Sequence, residues 1–436
     1  MIDITQSAFE ILQGYKIMNL FSLYKIIYMA ALDAFGRLRT AGCFTTFNYY
    51  PSLMSTTSAT NLDVDVWVTS GTGGTQTYNS QNYINMPISG VGTTYSLRTT
   101  KQPIIYQPGK SRLFYMTGVL MDTISTNTTS QMGFFDVDSS NPPVVTEGTY
   151  FKCNGTNFYW EDVTQVALTS VVQSSWNIDT FNGSGPSGKT LTVAANANKT
   201  FLLVIDQEWL GVGRLRCGFV IDGVIYYAHQ FLHNGLQVQY TKTPRISLSY
   251  YIYGATTANA MRQMCSTSII EDGYFSTGRI NNVDVPINSL VDVNTANNRV
   301  LLGIRVQSGF PKSTFFLKNL FLYYTGGAGK YAQFKVQMFS TNGSIGALTG
   351  TALTFTALPY SSIEYCIGNG NAYASTEGFV INSGYLDTQT STAIVSVVND
   401  SLQTRNLFTK YDTLYITGIA SADAKMGATV TFIEDI

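Results

Sequence analysis

Arg214-Leu215-Arg216-Cys217-Gly218-Phe219-Val220-Ile221, then Asp222-Gly223, then Val224-Ile225-Tyr226-Tyr227-Ala228-His229: this stretch decides the fold. Asp-Gly as a two-residue connection supplies the positive φ angles of a type I′ turn, whose twist matches that of the strands on either side. The flanking runs are rich in β-branched and aromatic residues and read as the two arms of a hairpin. Side chains alternate along a strand, so Leu215, Cys217, Phe219 and Ile221 share one face and Arg214 and Arg216 the other.

The same texture extends outward from the hairpin. Past residue 40, short runs of Val, Ile, Thr, Tyr and Phe alternate with clusters of Gly, Asn, Ser and Asp. Strands are expected over 64–69, 111–120, 201–205 and 245–253, and again over 299–307, 314–324, 331–339, 361–367 and 413–418. Helical periodicity is not sustained anywhere in this region, so the fold class is all-β. Cys265-Ser266-Thr267-Ser268-Ile269-Ile270 reads as a closing strand and Glu271-Asp272-Gly273 as a turn. Two β-sandwich domains follow from that division, 33–273 and 274–436.

Residues 1–32 differ. Phe9, Leu12, Leu20, Phe21, Tyr24 and Ile27 belong to a helix-compatible apolar stretch whose only charges are Glu10, Lys16 and Lys25. Lys25 interrupts it, leaving no clean run of the ~20 apolar residues that a spanning helix needs. An acidic residue ahead of the apolar region and the lack of a small-residue cleavage site argue against a signal peptide. The segment is expected to be an N-terminal docking arm that buries its apolar face on a partner or on the main body. Membrane association of the arm is the less favoured alternative.

Composition narrows the function. Charged residues make up 12% of the 436, about half of the ~25% usual for a soluble domain. The net charge of -1 offers no basic footprint, so no nucleic-acid partner is expected. A hydrophobic fraction of 44% excludes a disordered chain. The five cysteines, Cys43, Cys153, Cys217, Cys265 and Cys366, are widely spaced without a CxxC pair, which points to free thiols rather than zinc or disulfides. Tyr outnumbers Phe, 28 to 25, which suits interfaces and stacking on sugars.

Few residues offer chemistry. Asp206 and Glu208 stand two apart in a strand-like run and are followed by Trp209. On one strand face their carboxyls would be ~6–7 Å apart, near the ~5–5.5 Å of a retaining glycosidase pair, with Trp209 as a sugar-stacking ring. Arg214 and Arg216 are close enough in the hairpin to claim these carboxylates instead, and a strand-end salt bridge or turn contact is the preferred reading. His229 and His233, the only histidines, sit four apart. On a strand that places them ~13 Å apart, too far for one metal ion, so they read as ordinary surface or half-buried side chains. Asp136, Asp138 and Asn141 could offer oxygen ligands to calcium, but an Asx-rich turn is the preferred reading. No GxxxxGK[ST], no GxSxG and no complete dinucleotide fingerprint is present. No cofactor, metal or catalytic residue is assigned, and the chain is read as a non-enzyme.

Several motifs carry a family resemblance. They are Asp33-Ala34-Phe35-Gly36-Arg37-Leu38-Arg39, Tyr106-Gln107-Pro108-Gly109-Lys110-Ser111 with Met116-Thr117-Gly118-Val119, Gly133-Phe134-Phe135-Asp136 and Trp176-Asn177-Ile178-Asp179. Gly183-Ser184-Gly185-Pro186-Ser187-Gly188, the long run from Ile205 to Gly223, and Cys265-Ser266-Thr267 complete the series. The chain thereby resembles virion and hypothetical proteins of tailed phages and large DNA viruses, over 33–273. The resemblance implies a lectin-like or jelly-roll sandwich and a place in a virus particle assembled in the host cytoplasm. The expected function is that of a virion structural protein of capsid, tail or fibre, homo-oligomeric and in contact with other virion proteins. A glycan-binding adhesin that touches host surface glycans through Asp206, Glu208, Trp209, Arg214 and Arg216 is the first alternative. A sandwich glycosidase using Asp206 and Glu208 is the second.

Overall fold

The computed structural model describes residues 44–49, 66–104, 106, 110–208, 211–271, 278–340, 347–350, 352–368, 372–376, 379–387, 392–396, 407–409 and 412–435. The arm over 1–32, the motif at 33–39, Cys43 and Trp209 lie outside them.

Four antiparallel sheets stack as two sandwiches, and the all-β expectation holds. In the first sandwich, an eight-stranded sheet runs Val224–Phe231, Leu215–Ile221, Thr200–Gln207, Arg112–Val119, Asn259–Glu271, Tyr83–Ile88, Thr77–Asn79, with Phe44–Tyr49 also on Asn259–Glu271. Its partner is a seven-stranded sheet in the order Leu168–Val172, Phe158–Val163, Val145–Cys153, Thr128–Val137, Leu248–Gly254, Thr94–Thr100, Trp67–Gly71. The second sandwich pairs a six-stranded sheet built around Ala424–Asp435 and Thr314–Thr325 with an eight-stranded one built around Arg299–Val306, Asp412–Ala420 and Tyr331–Ser340. Strands of the first pair of sheets end at Glu271, and those of the second begin at Arg279.

The hairpin forms as its sequence dictates. Asp222 and Gly223 take φ of 54° and 78°, and Ile221 pairs with Val224 across the turn. Leu215, Cys217 and Phe219 are buried in the core between the sheets. Phe219 lies at the centre of an aromatic cluster drawn from both sheets and the loop between them. Its ring sits 5.1 Å from Phe151, 5.3 Å from Phe181, 5.8 Å from Trp160 and 6.0 Å from Trp176 and Phe201.

A β-bulge interrupts the hairpin where the alternation gave no sign of one. Cys217 pairs with His229 but Gly218 with Tyr227, so Ala228 is the extra residue. Its carbonyl accepts the N–H groups of Ile178 and Asp179. The 173–181 segment thereby covers part of what would be an open sheet edge.

The two sandwiches meet through polar contacts, one of them fully buried. Lys101 of the first forms an ion pair with Asp412 of the second, and both side chains are almost fully buried. Lys312 reaches back to Asp136, and Arg245 donates to the Lys312 carbonyl at 3.4 Å. Phe316 and Ile433 of the second sandwich pack against the core of the first. Among the described residues, no helix is long and apolar enough to cross a membrane.

Candidate functional site

Along Thr200–Gln207, Phe201, Leu203 and Ile205 point into the core, so Leu202, Val204 and Asp206 alternate onto the outer face of the sheet. Register fixes their neighbours. Leu202 lies opposite Thr117 and Val204 opposite Tyr115 on one side. On the other side Val204 faces Gly218 and Asp206 faces Arg216. Beyond Gly218, which has no side chain, stands Tyr227.

These residues converge on one carboxylate. Asp206 Oδ2 accepts a hydrogen bond from Arg216 Nε at 3.0 Å, another from a terminal nitrogen of the same guanidinium, and a third from the Tyr227 hydroxyl at 3.1 Å. The guanidinium also lies over the Tyr227 ring, 4.5 Å from its centroid. The Asp206 side chain is fully buried, and its Oδ1 has no hydrogen-bond partner. Burial pushes the Asp206 carboxyl above the ordinary range, and Arg216 offsets only part of that. Burial, and then the Asp206 charge, drives the Tyr227 and Tyr115 hydroxyls upward, so both remain neutral donors. The site is a buried carboxylate set between two tyrosines, with Oδ2 saturated by Arg216 and Tyr227 and Oδ1 enclosed without a hydrogen-bond partner.

The preferred strand-end salt bridge is therefore the geometry of Asp206 and Arg216. The strand ends at Gln207, so Glu208 lies just past it, and its N–H closes a turn onto the Arg214 carbonyl at 3.1 Å. Arg214 is half-buried. Tyr115 and Tyr227 were not identified from sequence. Alternation marks each as outward-facing, but only the strand order brings them to the same carboxylate.

The histidines depart from expectation, since both are buried. His229 accepts the Asn177 N–H on Nδ1 at 3.2 Å, and burial lowers its pKa to about 4. His233 follows the strand that ends at Phe231. Its Nδ1 meets the Gly213 carbonyl at 2.6 Å and its Nε2 meets Asp162 Oδ2 at 2.8 Å. The ring stacks on Tyr240 at 3.9 Å and 7°. Gln207 bonds the Tyr240 hydroxyl and in turn accepts from Arg112 at 2.6 Å. This buried chain ties the sheets together.

The acidic turn is structural. Asp138 Oδ1 accepts from the Val144 N–H at 2.8 Å and the Ser140 N–H at 3.1 Å, while Asp136 belongs to the ion pair with Lys312. Among the described residues, no three His, Cys, Asp or Glu side chains are grouped to hold a metal ion. Cys153, Cys217 and Cys366 are buried free thiols, and Cys265 is exposed.

No protein-family model and no curated protein matches the chain. Among solved structures, the chain is similar to arcelin-5, a lectin-like defence protein from Phaseolus vulgaris, at 11% identity over 52% of this chain and 99% of that one, with a TM-score of 0.32. An endo-1,3-beta-glucanase from Streptomyces sioyaensis matches at 8% identity over 53% of this chain and 97% of its own, with a TM-score of 0.33. A carbohydrate esterase from the Shiga toxin-encoding bacteriophage phi24B matches at 10% identity over 53% and 100%, with a TM-score of 0.29. Scores at this level say nothing about ligand or activity.

Proposed function

We propose that this protein is a structural component of a virus particle that acts by binding, with the sheet face around Asp206 as a glycan-binding surface. The particle assignment rests on the sequence resemblance over 33–273. The glycan assignment rests on one observation, the half-buried Tyr115 and Tyr227 that flank Val204 on the outer sheet face, next to the Asp206–Arg216 pair. Sugars present hydroxyl groups and weakly apolar ring faces, and neighbouring tyrosines, each an aromatic face with a polar tip, match both. The test is an oligosaccharide array probed with the full chain and with Tyr227→Ala. Retention of defined glycans by the wild type and their loss in the variant supports the reading, whereas silence across the array removes the glycan part. Detection of the chain in purified particles tests the structural part.

Turnover by Asp206 and Glu208 is the competing reading. Against it stand the complete burial of Asp206 and its pairing with Arg216, and the position of Glu208 past the end of the strand. Release of reducing ends from a polysaccharide, abolished by Asp206→Asn and by Glu208→Gln, would restore it.

A further inference from the structure

The outer sheet face does not end at the tyrosines. One step further along Thr200–Gln207 it opens into a cavity of about 480 Å³, within the ~300–1,000 Å³ usual for small-molecule sites. Leu202 and Val220 contribute from the outer face of the sheet, while Phe201, Phe219 and Leu191, which belong to or pack against the core, form its inner wall. Polar groups complete the lining. The hydroxyls of Thr117, Thr190 and Thr200 make no hydrogen bond among the described residues, and Asn196, whose Oδ1 receives the Thr192 N–H at 3.0 Å, keeps its amide N–H groups free. Lys189 and Asp222, also in the lining, pair with each other at 3.4 Å, so the cavity offers no uncompensated charge.

Resting on the glycan reading above, we infer that this cavity is a second subsite on the same face, and that it takes one ring of a neutral oligosaccharide whose next ring lies over Tyr115 and Tyr227. Leu202, Val204 and Asp206 stand on one line, spanning ~13 Å at about 3.3 Å per residue. That places the cavity, the tyrosine pair and the Asp206–Arg216 pair in succession along a single strand. Leu202 and Val220, side by side on the outer face, suit the face of a sugar ring, and the threonine hydroxyls and the Asn196 amide suit its hydroxyl groups. With Lys189 neutralised by Asp222 and Arg216 by Asp206, neutral rather than acidic sugars are selected.

The experiment uses the full chain against neutral and acidic mono- to tetrasaccharides. Val220→Trp fills the cavity from the sheet, and Thr117→Val removes one hydroxyl from its lining. Both are checked by thermal melting. The expected result is binding of neutral chains of two or more rings, at least tenfold weaker in Val220→Trp and about fivefold weaker in Thr117→Val, as for the loss of one ~1 kcal/mol hydrogen bond. Wild-type affinity in both variants, with binding still lost in Tyr227→Ala, overturns the cavity subsite and leaves the glycan reading standing. A preference for acidic sugars overturns the neutral assignment. Silence of the wild-type protein across the set removes both. If Val220→Trp fails to fold, Thr117→Val together with comparison of mono- and disaccharide affinities decides the matter.

Discussion

The Ser187 N–H donates to Asp179 Oδ2 at 2.7 Å, and the Phe181 N–H donates to Oδ1 of the same carboxylate at 2.8 Å. Two stretches that are separate in sequence, Trp176–Asp179 and Gly183–Gly188, are thereby one structural unit. The fit is close enough that a Cβ on Gly185 would lie 2.1 Å from Asp179 Oδ1. Asp179 is almost fully buried. Burial alone would raise its pKa, but the donors from Ser187 and Phe181 outweigh it and hold the carboxyl below the ordinary range.

Replacing this carboxylate should release the loop. Asp179→Ala removes charge-assisted hydrogen bonds worth about 1.5–3 kcal/mol and should lower stability by a comparable amount in urea unfolding. Hydrogen exchange should rise across 180–191 and not across the core strands. Gly185→Ala should produce the same local pattern, because the carboxylate must move away. An exchange pattern indistinguishable from wild type in both variants would refute the clasp.

Arg216 compensates a charge that the fold has buried. Arg216→Ala should destabilise by about 3–5 kcal/mol, the cost of leaving a buried carboxylate without its partner. It should also raise the Asp206 carboxyl further, since burial then acts with less opposition. A group whose folded pKa is raised loses stability as pH rises through it, so the penalty should grow from acid toward neutral pH. Arg216→Ala combined with Asp206→Asn should recover part of it. Equal penalties at pH 4 and pH 7 would contradict the assignment.

His229 predicts an acid limb in the stability curve. Its pKa falls from the ordinary 6.5 to about 4 because the ring is buried. The unfolded chain therefore takes up the proton first. The associated stability is complete above pH 6.5 and is lost as pH falls toward 4, by an amount on the order of 3 kcal/mol. His229→Gln retains an acceptor for the Asn177 N–H but cannot titrate. Its unfolding free energy should vary less across this window than that of the wild type.

What the sequence displayed and what it concealed divide along a physical line. Asp222-Gly223 and the alternation of Leu215, Cys217 and Phe219 are local signals, and the hairpin and its buried face follow from them directly. The pairing of Asp206 with Arg216 was within reach because both belong to adjacent arms of consecutive strands. Tyr115 was not, since Arg112–Val119 becomes the neighbour of Thr200–Gln207 only through strand order, which local patterning does not encode. The burial of His233 likewise depends on Asp162 from the opposite sheet and on a carbonyl in the 211–214 turn. The bulge at Ala228 has no residue signature, because its stabilising contacts come from the 173–181 segment.

Lys101 and Asp412 set the last test, which concerns the two sandwiches together. The pair is buried on both sides, and Asp412 Oδ2 also receives the N–H of Thr409 at 3.0 Å and its hydroxyl at 2.9 Å. A buried ion pair gives little net stability over a well-packed apolar pair, yet removing one partner is expensive. Asp412→Leu should therefore cost about 3–5 kcal/mol, and Asp412→Leu with Lys101→Met should restore much of that loss. Because the pair spans both sandwiches, calorimetry should show one transition for the wild type and the double variant, and two for Asp412→Leu as the sandwiches unfold apart. Additive losses in the double variant, or a single unshifted transition in Asp412→Leu, would show that the contact does not couple them.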